Sequence, residues 1–298
     1  ELPDFFGGDA RLIAGQTEDL DLIVVEAPHL YDRPGNPYLG PDGKDWPDNW
    51  ARFAGLSFAA YEIGRGIVGG YQPQVLHAHD WQAALAPAYV AFNAPTRVKT
   101  VVTVHNLAFQ GRFGWEIFPQ LKLDYRAANE GAIEFYGGIG FLKAGLQCAD
   151  ALTTVSPTYA HEIRTEGYGM GLDGLLRSRA DVLHGILNGI DAHAWNPQSD
   201  PALAENCGAG STHLREANKQ AVERAFGLEE GEGPLFAVVS RLTWQKGMDM
   251  LAGVIDQLVA RGGRLAVLGS GEVALEHAFH DAAERHRGKV GAITGYDE

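Results

Sequence analysis

The hydrophobic positions of the chain follow two alternating periods. Short runs rich in β-branched residues predict strands at 22–26, 75–79, 100–105, 151–155, 182–187, 235–240, 264–268 and 290–294. Longer stretches with helical spacing lie between many of them, at 50–67, 81–92, 157–164, 214–226, 248–261 and 273–287. Several strand runs are continuously apolar, as strands buried on both faces are. Strands that alternate with helices predict an α/β fold with parallel sheets and right-handed crossovers.

A segment of small and polar residues, 196–211, interrupts this alternation, which resumes after it. We therefore place a domain boundary there and predict two α/β units, 1–205 and 206–298. With 298 residues, 45% of them hydrophobic, the chain can bury two cores.

Charge and cysteine content limit the function classes. The net charge of −14 leaves no global positive field for nucleic acid, although one or two local cations still suffice for a small anion. Cys148 and Cys207 fit neither a disulfide framework nor a zinc pattern, which favours reduced cysteines in a cytoplasmic protein. Charges or glycines break every long apolar run, and no signal peptide is visible, so we expect no membrane anchor.

The strongest chemical signal is FAVVSRLTWQKGMD at 236–249. A predicted strand ends near Arg241, a short loop carries Lys246, and a helix follows. Ligands of open α/β sheets bind outside the carboxyl ends of the strands. A guanidinium, an ammonium and the N–H groups of a helix start would meet there, which predicts a cradle for a diphosphate. In an ordinary loop the same two side chains would simply be solvated.

A second strand end lies in VLHAHDW at 75–81. Alternation places His77 and His79 on one face, which suits a metal and raises the alternative of a metal-dependent hydrolase using His77, His79 and Asp80. Further ligands of that kind are lacking at the other strand ends, and apolar neighbours favour a buried structural role for His77. Asp80 fits two roles equally, a helix N-cap or an acceptor for a sugar hydroxyl.

Two more predicted strands end in polar residues. TVHNLAFQG at 103–111 carries His105 and Asn106, and GILNGIDAHAWNP at 185–197 carries Asn188 in an Asn-Gly pair that is ordinarily a turn. Their common placement at carboxyl ends suggests one cleft facing the second domain.

Two weaker signals come late in the chain. The turn Gly269-Ser270-Gly271 falls short of a dinucleotide fingerprint. Tyr296 follows the last predicted strand and fits either stacking on a base or an ordinary surface position.

The segments described above, together with NPY at 36–38, Asp48-Asn49 and Arg52-Phe53, resemble bacterial glycogen synthases and plant starch synthases in sequence and in order. The other matching blocks are HAHDWQAALAPAY at 77–89, TVHNLAFQG at 103–111, TVSPTYAHEI at 154–163, GILNGIDAHAWNP at 185–197 and SRLTWQKGMDML at 240–251.

The resemblance implies a retaining glycosyltransferase of the B fold, with two Rossmann-like domains and the active site between them. It implies ADP-glucose as donor, an α-1,4-glucan as acceptor, and neither metal nor cofactor. It does not indicate an oligomeric state. The family's Lys-x-Gly-Gly-Leu loop and its Glu-x7-Glu segment are not in the sequence, so we expect an internal piece of a longer synthase. Its second domain would be incomplete and the piece inactive on its own.

Carried over by position, the resemblance implies that Arg241 and Lys246 bind the diphosphate of the donor. It also implies that His105 contacts the transferred glucose. The residues that would line the sugar pocket are Asp80, Trp81, Asn106 and Asn188. Tyr296 would lie against the adenine, and Tyr38 near donor or acceptor. A non-catalytic nucleotide- or glucan-binding module is the alternative from another class, and glucose transfer by the full-length protein would dismiss it.

Overall fold

A computed structural model describes residues 1–18 and 20–296. Contacts between Cα atoms divide the chain into two compact units, Glu1–Gly189 and Ile190–Glu298. The division falls ahead of the 196–211 segment, whereas the sequence places the boundary after residue 205. No helix in the described ranges is both long and apolar enough to cross a membrane.

The described strands, in chain order, are β1 Arg11–Gln16, β2 Asp21–Glu26, β3 Val75–His79, β4 Lys99–Val104, β5 Arg112–Phe113, β6 Glu134–Phe135, β7 Gly138–Gly140, β8 Ala151–Thr154, β9 Leu183–Gly185, β10 Leu235–Val239, β11 Arg264–Gly269 and β12 Val290–Thr294. The α-helices are α1 Pro28–Tyr31, α2 Asn49–Gly64, α3 Asp80–Ala83, α4 Leu85–Phe92, α5 Phe141–Cys148, α6 Pro157–Glu162, α7 Asp173–Ser178, α8 Arg215–Ala225, α9 Met248–Ala252, α10 Ile255–Ala260 and α11 Val273–Arg285.

The central sheet of the first unit has the order β3-β4-β8-β9 and is parallel throughout, which confirms the predicted α/β class. Its covered face contributes Leu76, Ala78, Val102 and Leu152 to a core that α5 and α6 complete. The opposite face of β3 carries Val75, His77 and His79, and all three side chains are exposed. The prediction of a buried His77 was therefore wrong. The apolar neighbour Leu76 points to the other face because side chains alternate along a strand.

The predicted strand at 22–26 belongs to a different sheet. It is β2, which pairs antiparallel with β1, a strand that the sequence analysis did not predict. Leu12 and Val25 pack from this hairpin onto a separate cluster that contains Phe5 and Leu30. A third sheet, with the order β5-β7-β6, is also antiparallel.

The second unit contains a parallel sheet with the order β10-β11-β12. Its core packs Leu265 and Val267 of β11 against Ile255 of α10 and Phe279 of α11. The three predicted strands of this region are confirmed. The single helix predicted at 248–261 is instead two helices, α9 and α10, separated by Gly253 and Val254.

Candidate active site

Asp80 joins the ends of two neighbouring strands in the first unit. It follows β3 directly and has a backbone φ of 53°, in the left-handed region that short polar side chains tolerate better than most. Its Oδ1 accepts hydrogen bonds from the backbone N–H of His105 (2.7 Å) and of Asn106 (3.4 Å). His79 occupies the N-cap position of α3, and no side chain caps that helix. The N-cap interpretation of Asp80 was therefore wrong, because its carboxylate holds the end of β4.

The His105 side chain is exposed and directly contacts a second imidazole. Its Nε2 lies 3.0 Å from Nδ1 of His79. The ring of His79 also lies 4.3 Å from that of His77, whose Nε2 is 2.6 Å from Oγ1 of Thr103. Partial burial of the ring is the main cause that lowers the pKa of His79. The neighbouring rings of His77 and then His105 lower it further, and the negative charge of Asp80 opposes them.

Within residues 1–18 and 20–296, no group of three or more His, Cys, Asp or Glu side chains is arranged to hold a metal ion. His77 and His79 use ring nitrogens to contact a threonine and another histidine. The geometry thus gives the hydrolase alternative no support.

Trp81 is half-buried and packs chiefly against aromatic side chains. Its ring centroid is 4.6 Å from that of Phe53, in an edge-on arrangement, and 6.1 Å from that of Phe113. The indole also covers Gly111, where φ is 61° and an added Cβ would collide with the Trp81 ring. Trp81 therefore supports the end of the loop that begins with His105.

Two other contacts shape the same loop. The Oδ1 of Asn106 accepts from the Ala108 N–H at 3.0 Å, which closes a local turn. The hydroxyl of Tyr159 accepts from the Leu107 N–H, also at 3.0 Å. Sequence reasoning missed Tyr159 as a support, although it lies within the TVSPTYAHEI block.

Tyr38 reaches α3 from a loop near the start of the first unit. Its hydroxyl accepts a hydrogen bond from Nε2 of Gln82 at 3.1 Å. Arg52, only 6% exposed, holds the loop by donating to the carbonyl oxygens of Leu30 and Pro37. The structure therefore brings Tyr38 to the helix that follows β3. Gln82 and Arg52 were not predicted as site residues, although both belong to blocks that the resemblance uses.

Asn188 follows the last strand of the parallel sheet in the first unit. It lies in coil three residues after β9, it is exposed, and its side chain makes no hydrogen bond within the described part of the chain. Since β9 is parallel to β3 and β4, Asn188 follows the same edge of the sheet as Asp80 and His105.

In the second unit, Arg241 and Lys246 occupy one loop beyond the carboxyl end of β10. Both side chains are exposed, and neither forms an ion pair with a carboxylate of residues 1–18 or 20–296. Lys246 ends a short 3-10 turn, and Gly247, with a φ of 69°, leads into α9. The loop thus carries two positive charges that no carboxylate of the described residues neutralises.

The Gly269-Ser270-Gly271 turn supports this loop. The Leu242 N–H donates to the Ser270 carbonyl at 2.9 Å, and the Glu272 N–H donates to the Leu242 carbonyl at 2.9 Å. An added Cβ at Gly269 would collide with the carbonyl of Ser240, and one at Gly271 with that of Leu242. These two glycines are therefore required for close backbone packing under the Arg241 loop.

Tyr296 is 84% exposed and follows β12. Its ring packs against no other aromatic ring of the described residues.

Comparisons with known proteins agree with this arrangement of elements. Residues 6–178 match the family model described as starch synthase catalytic domain. A glycogen synthase of Rhizobium johnstonii is 52% identical over 298 residues, which are 100% of this chain and 62% of that protein. One from Rhodopseudomonas palustris is 54% identical over 296 residues, 99% of this chain and 61% of that protein.

Among solved structures, the catalytic domain of starch synthase IV from Arabidopsis thaliana, bound to ADP and acarbose, superposes with a TM-score of 0.84 at 27% identity. The match covers 99% of this chain and 62% of that one. The chain thus spans about 62% of the length of these relatives.

Proposed function

Because this chain belongs to the starch synthase catalytic domain family, we propose that the whole protein transfers glucose from ADP-glucose to the non-reducing end of an α-1,4-glucan, with retention of configuration. The observation that carries the proposal is the pair of exposed cations, Arg241 and Lys246, on one braced loop at a strand end. The names of the glycogen synthase relatives support it. So do the ADP and acarbose bound to the Arabidopsis domain.

The two cations suit the chemistry of the donor. Breaking the glucose–phosphate bond develops negative charge on the leaving diphosphate, and fixed positive groups stabilise that charge most where it is largest, in the transition state. The planar guanidinium of Arg241 can bind two phosphate oxygens at once, whereas Lys246 supplies a compact point charge on a flexible stem. Loss of one such group typically costs about 3–4 kcal/mol of transition-state stabilisation.

In the first unit we assign His105 to the transferred glucose, beside the reacting carbon. The residues assigned to the sugar pocket are Asp80, Trp81, Asn106 and Asn188. The acceptor hydroxyl attacks on the face from which the diphosphate departs, and the departing phosphate takes its proton.

Three further assignments complete the proposal. Tyr38 lies near donor or acceptor, and Tyr296 lies against the adenine. The reaction needs no cofactor.

We also place the protein in the cytoplasm, supported by two cysteines that form no disulfide, Cys148 and Cys207.

The test is turnover of Arg241→Ala and Lys246→Ala in the whole protein, with radiolabelled ADP-glucose and glycogen. We expect kcat to fall by about 100-fold to 1,000-fold, while glucan affinity stays near the wild-type value. Arg261→Ala is the matched control, because Arg261 is an exposed arginine at the end of α10 and away from the loop.

Near wild-type turnover in both variants would overturn the assignment of the two cations. Binding of ADP or glucan by the wild-type protein without any glucose transfer would instead indicate a binding module.

A further inference from the structure

We propose that His79 is a positioning residue for His105. Its Nδ1 holds Nε2 of the His105 ring, which leaves Nδ1 of His105 as the nitrogen that meets the substrate. The inference rests on the proposed function, because that function assigns His105 to the transferred glucose.

The contact follows from the pairing of two strands. His79 is the last residue of β3 and pairs with Thr103 of β4. Since β4 ends at Val104, His105 follows directly and lies beside His79. The two rings lie 5.3 Å apart between centroids, inclined by 31°, with 3.0 Å between Nδ1 of His79 and Nε2 of His105. His105 is therefore held twice, at its backbone N–H by Asp80 and at its ring by His79.

A hydrogen bond between two imidazoles sets the protonation of both rings. One nitrogen donates and the other accepts, so a single proton lies between His79 and His105, and the tautomers of the two neutral rings are coupled. The other nitrogen of His105, Nδ1, makes no hydrogen bond with any residue of the described ranges. A tautomer that is fixed at this nitrogen also fixes the direction of its hydrogen bond to a sugar hydroxyl, which can either donate or accept.

His79 is itself restrained by its neighbours. The ring of His77 packs against it at 4.3 Å between centroids, and Nε2 of His77 is 2.6 Å from Oγ1 of Thr103. That oxygen is in turn 2.5 Å from Oγ1 of Thr153 on β8. This row of polar groups crosses three strands and limits rotation of His79. The charged or titratable groups that face the His79–His105 pair are His77 and Asp80.

Two variants of His79 separate hydrogen bonding from ring packing. His79→Phe keeps a ring beside His77 but removes both nitrogens. His79→Asn keeps a polar group at the position of Nδ1. The control is His184→Gln, an exposed histidine of β9 that forms no hydrogen bond with His79 or His105.

Two measurements are made on each variant. The first is the His105 tautomer in the present chain, from long-range proton–nitrogen NMR of histidine-labelled protein, with the His105 signals assigned by their loss in His105→Gln. The second is the pair kcat and KM in the whole protein. If His79→Phe does not fold, as judged by circular dichroism, His79→Ala replaces it in both.

We expect one defined His105 tautomer in the wild type, in His184→Gln and in His79→Asn, and a mixture in His79→Phe. We also expect kcat of His79→Phe to fall by about 10-fold to 100-fold, the range that follows loss of the hydrogen-bond partner of a metal-ligating histidine. KM should change little. An unchanged tautomer in His79→Phe, or a changed tautomer with unchanged kcat, overturns the positioning role.

A different result marks failure of the His105 assignment, on which the positioning role depends. If His105→Ala turns over glucose at the wild-type rate, His105 has no role at the glucose. The proposed assignment of His105 and the positioning role that depends on it are then both wrong, even where the NMR signals of His105 respond to His79. Loss of turnover in His105→Ala together with no effect of His79→Phe overturns the positioning role only.

Discussion

Asp80 combines an uncommon backbone conformation with two hydrogen bonds. A left-handed backbone costs most side chains about 1–2 kcal/mol, and aspartate is among the few types that adopt it readily. In that conformation the carboxylate turns back toward the N–H groups of His105 and Asn106. The residue type is thus explained by the connection between two strand ends, whether or not the carboxylate also meets a sugar.

His79 should make the stability of the first unit depend on pH. Its pKa is lowered because partial burial and the neighbouring imidazoles disfavour the charged ring. As pH falls through about 6.5, the unfolded chain therefore takes up this proton before the folded chain does. The contribution of neutral His79 is complete above that pH and is lost as pH falls through the lower folded pKa.

We expect His79→Asn to weaken the fall in stability between pH 7 and pH 5. The measurement is the urea midpoint by circular dichroism at pH 5, 6, 7 and 8. His184→Asn, on the exposed face of β9, controls for removal of a histidine. Identical pH dependence in the wild type and His79→Asn would contradict the expectation.

Sequence alone placed Asp80, His105 and Asn106 correctly at the carboxyl ends of strands, because each block shows an apolar run that ends in polar residues. It could not show that His79 touches His105, since that contact depends on the register between β3 and β4. The packing of Trp81 against Phe53 was equally hidden, because it joins residues far apart in the chain. The substrate roles of these residues remain predictions.

At the scale of secondary structure, Arg264 ties the start of β11 to the segment before β10. It is 2% exposed and pairs with the buried carboxylate of Glu223 on α8. It also donates to the backbone carbonyls of Glu229, of Gly231 at 2.8 Å and of Gly233 at 2.9 Å. One side chain thus pairs with one oxygen of a buried carboxylate and binds three carbonyl groups, whereas Oε2 of Glu223 has no hydrogen-bond partner among the described residues.

Arg264→Met should destabilise the second unit by about 3–5 kcal/mol, because it removes the close partner of the buried Glu223 carboxylate and leaves only Lys219, 3.9 Å away. Urea unfolding followed by circular dichroism measures this change. Arg261→Met, at an exposed position three residues earlier, should stay within about 0.5 kcal/mol of the wild type. Equal stability of the two variants would show that the buried pair contributes little.

The sequence predicted the parallel strands best, for example β3 and β11. Their buried positions carry apolar residues, which makes them visible in the sequence. The strand at 22–26 was recognised, but its partner β1 was not, because Gly15 and polar residues shorten the apolar run of 11–16. The split between α9 and α10 was missed because the apolar spacing continues across Gly253.

At the scale of the whole molecule, a net charge of −14 must be reconciled with the anionic donor that we propose. Arg241 and Lys246 supply a local positive site without changing the overall sign. We expect glucose transfer by the whole protein to be insensitive to chelators, because these two cations meet the charge of the diphosphate.

Activity in EDTA should stay within about twofold of the untreated rate, since binding by fixed cations needs no exchangeable ion. Activity abolished by EDTA and restored by magnesium or manganese would contradict the expectation. The Arg261→Ala protein, assayed in parallel, shows whether loss of an unrelated arginine changes the response.

The strand order of the two parallel sheets has a consequence for how the chain folds during synthesis. In both sheets each strand lies beside the one that precedes it in the parallel set, β3-β4-β8-β9 and β10-β11-β12. A nascent chain can therefore add each strand to an existing edge as it leaves the ribosome, and no strand must wait for a later one to be inserted beside it. Vectorial growth of this kind shortens the time for which an apolar strand such as β4 or β11 remains unpaired in the cell.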